Sequence, residues 1–180
     1  MKLLIVAHPD DEILWFNPKK FDKIIIVFQH RLDKKWMGEA RQRVIDKHPL
    51  RNKIQMLGYT ESGYRLHKGR KDLFIKNFND LVEVMPKILS LYDTVYTHNP
   101  WGEYNHPDHV LVYQAVKEIA YEEDIFCFDG ITPTTPLETK LETIDLDLYR
   151  EIKLLYQKER AWTWASNYEP QGRQPYFRVN

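Results

Sequence analysis

The sequence predicts an α/β protein built as a single domain over residues 1–180, an open and mostly parallel sheet with helices on both faces. Three observations predict it. Short, unbroken apolar runs rich in branched residues recur along the chain, the pattern of strands buried on both faces of a parallel sheet. Helical stretches lie between these runs, and such alternation winds a sheet through crossovers. The length, 180 residues, suits one domain with a substantial core and is short for two.

In chain order, the strand-like runs are "KLLIVA" (2–7), "KIIIVF" (23–28), "TVYTH" (94–98) and "IFCF" (125–128). Helices are expected over residues 37–58, 72–91, 107–122 and 146–160. Pro49 and Pro86 interrupt the first two, which should therefore split or kink. "GITPTTPLETK" (130–140), with two prolines and four threonines, reads as a loop. The tail over 161–180, "AWTWASNYEPQGRQPYFRVN", is aromatic but aperiodic and reads as a segment laid across the body or against a second subunit.

Composition narrows the partners. Lys plus Arg equals Asp plus Glu at 26 each, so net charge gives no argument for nucleic acid or an anionic membrane. The single cysteine, Cys127, excludes an internal disulfide and any multi-cysteine zinc site, and it suits a reducing cytosol. A metal would need nitrogen and oxygen ligands. The run "LLIVA" is shorter than a secretory apolar region, and no apolar run approaches bilayer length. The chain reads as beginning at Met1, soluble and cytoplasmic, with no legible oligomeric state.

In an open α/β sheet, ligands bind where strands end and helices begin. "AHPDDE" (7–12) occupies that place after the first run. Pro9 suits the first turn of a helix, which would put His8 at the cap and Asp10 and Asp11 in the opening turn. His8 and Asp11 are then three apart, close enough to converge on one ion. After "TVYTH" the chain repeats the device as "NPWGEYNHPDHV" (99–110), where "HPDH" matches the shape of "HPDD". Two such turns facing one crevice offer His8, Asp11 and His109 as ligands, with Asp10, His106 and Asp108 beside them. Two imidazoles, one carboxylate and an open fourth position are what a catalytic zinc uses; ferrous iron suits the set too. "KHPL" (47–50) also contains His-Pro, but with no acid or second histidine it carries no such reading.

"AHPDDE" after the first strand, with "HPDH" opening a later helix, resembles the LmbE-like or PIG-L superfamily of zinc-dependent N-deacetylases, which act on N-acetylglucosaminyl conjugates. The resemblance implies a Rossmann-like fold and zinc on His8, Asp11 and His109. It also implies Asp10 as general base, His106 as the group that stabilises or protonates the reacting centre, and Tyr104 near the developing oxyanion. The implied partner is a small-molecule N-acetylated sugar or sugar conjugate. Many members carry a Gly-Gly pair after the first motif, where this chain reads "ILWFNPKKF" (13–21).

Further readings attach to the neighbours. Asp108 is either a carboxylate that fixes a histidine tautomer or a first-turn helix acid. Trp101 offers a flat apolar surface to a sugar ring, Glu103 and Asn105 reach hydroxyls, and Arg41 on the second helical stretch is a substrate-binding candidate. Glu12 is a helix-turn acid or ion-pair partner outside the metal set, and His98 is a structural histidine at a strand end. Two other functions compete: a metal-dependent phosphoesterase, which commonly holds two ions, and a sugar-binding module that retains a metal site without turnover.

Overall fold

The computed structural model describes residues 1–63, 70–120, 123–129 and 139–179. It contains a seven-stranded sheet in the order β3-β2-β1-β4-β5-β7-β6. The first five strands are β1 (Lys2–Val6), β2 (Lys23–His30), β3 (Ile54–Thr60), β4 (Thr94–Thr97) and β5 (Asp124–Phe128). All of their pairings are parallel. The last two strands, β6 (Thr139–Thr143) and β7 (Arg173–Val179), join antiparallel through β7 against β5. The mostly parallel α/β fold is therefore the one expected.

Burial on both faces explains the unbroken apolar runs. Leu3 and Ile5 of β1 face one layer, against Leu81 of α3 (Lys71–Val84), Leu89 of α4 (Pro86–Leu89) and Leu111 and Val116 of α6 (Pro107–Ile119), which follows the single turn α5 (Gly102–Asn105). Leu4 and Val6 face the other, with Leu14, Trp15, Phe16 and Ile45. There α1 (Asp11–Leu14), α2 (Met37–Lys47) and α7 (Leu146–Lys158) meet through Ile13, Val44, Ile152 and Tyr156. Every side chain of β1 from Leu3 to Val6 is fully buried, so alternation never appears in the sequence.

Three expectations about elements need correction. The helix expected over 37–58 ends at Lys47, because His48 precedes Pro49 and adopts the extended conformation that proline imposes on its neighbour, ψ 133°; β3 follows instead. The loop expected over 130–140 overlaps β6 at residues 139 and 140, the remainder lying outside the described residues. The aperiodic tail ends in β7, whose Tyr176 and Phe177 are buried while its OH and backbone lock onto Trp15 O at 2.6 Å and onto β5. By contrast, Pro86 separates α3 from α4 as expected.

The strand order reverses direction of winding between β1 and β4, and the crevice beyond their carboxyl ends is the switch point of the sheet. His8 follows β1, and His98 and Asn99 follow β4.

Candidate metal centre

The turn after β1 differs from the expected cap. His8 is not the N-cap of α1; Asp10 is, in the left-handed region at φ 96°, an uncommon conformation for a residue with a Cβ. The second motif does follow the expected pattern, with His106 as the N-cap of α6 and Pro107 in its first turn. His106 Nδ1 accepts the Asp108 backbone N–H at 3.3 Å, so a neutral ring carries its proton on Nε2.

Three atoms converge between the motifs. His8 Nδ1 lies 3.3 Å from Asp11 Oδ2, His109 Nε2 lies 3.4 Å from the same oxygen, and the two nitrogens are 3.3 Å apart. Donors about 2.0 Å from a common tetrahedral centre stand about 3.3 Å from one another, so the triangle has the size a zinc-like ion requires. The opposite nitrogens face carboxylates: His109 Nδ1 meets Glu103 Oε2 at 2.6 Å, and His8 Nε2 meets Asp108 Oδ2 at 3.4 Å. A ring that donates from one nitrogen presents a lone pair at the other, and both lone pairs then point at Asp11. The residues fit a metal ion.

Charge agrees with geometry. Burial disfavours a cationic His8, yet Glu61, Asp108 and Asp11 around it raise its pKa to about 10. The same carboxylates that favour a proton on His8 favour a metal cation in its place. Burial likewise opposes ionisation of Asp11, but His109, His8 and His98 hold it well below the usual carboxylate range. His109 is lowered, chiefly by burial and then by His98, which leaves it neutral and able to ligate.

His98 is fully buried and also 3.4 Å from Asp11 Oδ2. Glu103 and Asp11 pull its ring towards the cation against the cost of burial. However, the Ala7 backbone N–H points at Nε2 at 2.8 Å and needs a lone pair there, so the ring is neutral and donates from Nδ1 to Glu103 at 3.0 Å. With Nε2 engaged by that N–H, His98 presents no free lone pair to an ion. Three other groupings have the spacing to hold an ion, Asp11 with His98 and His109, His8 with His106 and His109, and His8 with Glu61 and Asp108; each shares at least one residue with the triangle, so they describe alternatives within one centre.

Asp10 is buried beside the triangle. Its Oδ2 accepts the Thr163 backbone N–H at 3.0 Å and the Thr163 hydroxyl at 2.7 Å. Burial first, and then the Asp11 charge, raise its pKa to about 7. Glu12 stays outside the metal set, as expected, but it is no surface acid. It is fully buried, accepting from the Asp10 backbone N–H and the Tyr156 hydroxyl at 2.8 Å each.

An open cleft of about 580 Å³ gives access to the centre and is lined by His8, Asp11, Leu14, Arg31, Arg41, Glu61, Tyr104, His106, Thr163 and Trp164. Tyr104 and His106 therefore both face the cleft. Arg41 also lines the cleft, although it is buried and bound to Phe28 O, Gln29 O and, at 2.7 Å, Glu61. Three substrate assignments need correction. Glu103 does not reach outward: it is 1 % exposed and bonded to His98, His109 and Asn99. Trp101 stacks on Phe177 of β7 at 5.7 Å, on the core side. Asn105 is exposed, with φ 64°, and is not part of the cleft lining.

The sequence reading missed Glu61, Arg31, Thr163 and Trp164. Glu61 follows β3, so recognising that strand would have placed it at the same sheet edge. Trp164 packs against Trp15 and Tyr104 at 5.3 and 4.8 Å, and no spacing in the tail announces it.

No protein-family model and no curated protein sequence matches the chain. Solved structures do. Teicoplanin deacetylase Orf2, in a zinc-inhibited form, superposes with a TM-score of 0.65 at 13% identity, over 100% of this chain and 99% of its own. A deacetylase–teicoplanin complex from the biosynthesis pathway of teicoplanin gives 0.62 at 14%, over 100% of both chains. The pseudoaglycone deacetylase Dbv21 gives 0.62 at 11%, over 98% of this chain and 96% of its own. At these identities the likeness is one of fold, and it spans the described sheet and both helical layers.

Proposed function

We propose that the protein is a metal-dependent hydrolase that removes the N-acetyl group from an N-acetylated amino sugar or its conjugate. The observation that carries this reading is the triangle of His8 Nδ1, Asp11 Oδ2 and His109 Nε2, with edges of 3.3 to 3.4 Å, at the floor of a cleft beside a buried carboxylate. The deacetylases of the same fold support the choice of reaction.

A zinc or ferrous ion on these three residues would supply Lewis acidity, making a water a better nucleophile and polarising an acetyl carbonyl. Asp10 takes the proton of the attacking water. Its Oδ2 is held by Thr163, so Oδ1 is the oxygen that receives it. His106, donating from Nε2, and the Tyr104 hydroxyl face the oxygen that becomes negative in the tetrahedral intermediate. The departing amine needs a proton, which comes from Asp10 or His106. Arg41 Nε is a buried donor in the cleft wall without a hydrogen-bond partner, and Glu61 Oε1 beside it is paired with the same guanidinium at 2.7 Å. A donor next to a carboxylate suits sugar hydroxyls.

Acetate release from a panel of N-acetyl sugars and conjugates, after loading with zinc or iron, tests the reading. Asp10→Asn should keep its metal and lose roughly 10²- to 10⁴-fold in rate, whereas His109→Ala should lose the metal. Binding of a sugar without acetate release would favour the binding module. Close to two ions per chain would favour the phosphoesterase.

A further inference from the structure

Glu103 receives three hydrogen bonds and offers none. Its Oε2 accepts from His98 Nδ1 at 3.0 Å and from His109 Nδ1 at 2.6 Å, and its Oε1 accepts the Asn99 backbone N–H at 3.0 Å. The Glu103 backbone N–H answers with a bond to Asn99 Oδ1 at 2.8 Å. The side chain is 1 % exposed and its backbone sits at φ 55°, ψ −63°, a strained conformation held by its surroundings. The arrangement also reaches the other motif, because His98 Nε2 accepts the N–H of Ala7, next to His8.

We infer that Glu103 is the positioning residue of the metal centre: one carboxylate fixes two imidazoles as Nδ1–H tautomers, aims the His109 Nε2 lone pair at the ion, and couples the two histidine motifs through His98 and Ala7. This rests on the reading of His109 as a ligand. Only a carboxylate meets the demand, since all three partners are donors and both oxygens are needed. The amide of a glutamine accepts at one end and donates at the other, so one end must face N–H against N–H. If that end faces the imidazoles, His109 is relieved by moving its proton from Nδ1 to Nε2, and the lone pair is lost from the site. If it faces Asn99, the loop carrying the histidine shifts.

The test compares the parent with Glu103→Gln, Glu103→Asp and His109→Ala. Zinc affinity is measured by competition with a chromophoric chelator, and imidazole tautomers are read by long-range ¹⁵N–¹H spectra of the metal-free proteins. Glu103→Gln should bind zinc roughly 10- to 100-fold more weakly, with the His109 proton displaced from Nδ1. Glu103→Asp, with two acceptors still, should recover part of the affinity and the Nδ1–H form. Parent-like affinity in Glu103→Gln overturns the inference. So does a parent spectrum with the proton of His109 on Nε2, which decides the matter even if the glutamine variant does not fold. Should the parent bind no zinc, or His109→Ala bind it as well, the ligand assignment fails, while the spectra still report whether Glu103 sets the tautomers.

Discussion

His48 is fully buried, and its two ring nitrogens have different surroundings. Nδ1 accepts the Leu50 backbone N–H at 3.0 Å, while Nε2 stands 3.8 Å from Glu12 with no hydrogen-bond partner. Burial lowers its pKa from 6.5 to about 4. The unfolded chain therefore binds this proton more readily than the folded one, so the stabilisation is complete above pH 6.5 and is lost as pH falls through 4. The full effect is about 3 kcal/mol. Denaturant titrations at steps between pH 7 and 4 should show that loss, and NMR titration of His48 should give a midpoint near 4; a midpoint near 6.5 would contradict the assignment. At the same scale, the sequence revealed which residue types gather at the centre but not which acid serves which histidine. Asp108, in the first turn of α6, does face His8, so its two readings were compatible. Glu103 was misread because its direction depends on a positive φ in a four-residue turn, and no pattern of residue types encodes that reversal.

Among the elements, α7 ends with a device that its sequence does not favour. Ala161 N–H bonds Tyr156 O at 2.8 Å, Arg160 N–H bonds Gln157 O at 3.1 Å, and Arg160 takes φ 62°, the left-handed closure usually filled by glycine. Arg160 is exposed, so nothing else depends on its side chain. Arg160→Gly should stabilise the protein by about 1 kcal/mol and raise Tm by about 2–4 °C, measured by calorimetry; a lower Tm would mean that arginine contributes a contact that glycine cannot. The elements legible in the sequence were the apolar runs β1, β2, β4 and β5 and the helical stretches α3, α4, α6 and α7, with α2 legible at its start. β3 escaped notice because it is an edge strand with mixed burial, interrupted by Gly58 at φ 79°. β6 and β7 escaped because their pairing is non-local: Gln174 pairs with Glu142 of β6, and Phe177 stands between Thr139 of β6 and Cys127 of β5.

For the whole molecule, the candidate centre joins the ends of β1 and β4 across the switch point, so an ion bound there would tie the two halves of the sheet together. Metal that binds only the folded state adds about 4 kcal/mol at a free concentration a thousandfold above Kd, equivalent to about 8–16 °C in Tm for a chain of this size. Calorimetry with zinc and with excess chelator should differ accordingly, and His109→Ala should abolish the difference. No helix among the described residues is long and apolar enough to cross a membrane. The general architecture was legible because strand and helix alternate from β1 to α6, whereas the cleft was not, since its walls come from β2, β3 and the 161–168 segment as well as from the two motifs.

The Thr163 clamp on Asp10 also has a consequence in time. A chain is made from its N-terminus and domains organise as they emerge. His8, Asp11, Glu103 and His109 all precede β5, whereas Thr163 follows α7 and leads into β7, the strand that closes onto β5. On the proposed roles, a growing chain would hold the three ligands and Glu103 while Asp10 was still unclamped, which would put capture of a metal before the capacity for turnover.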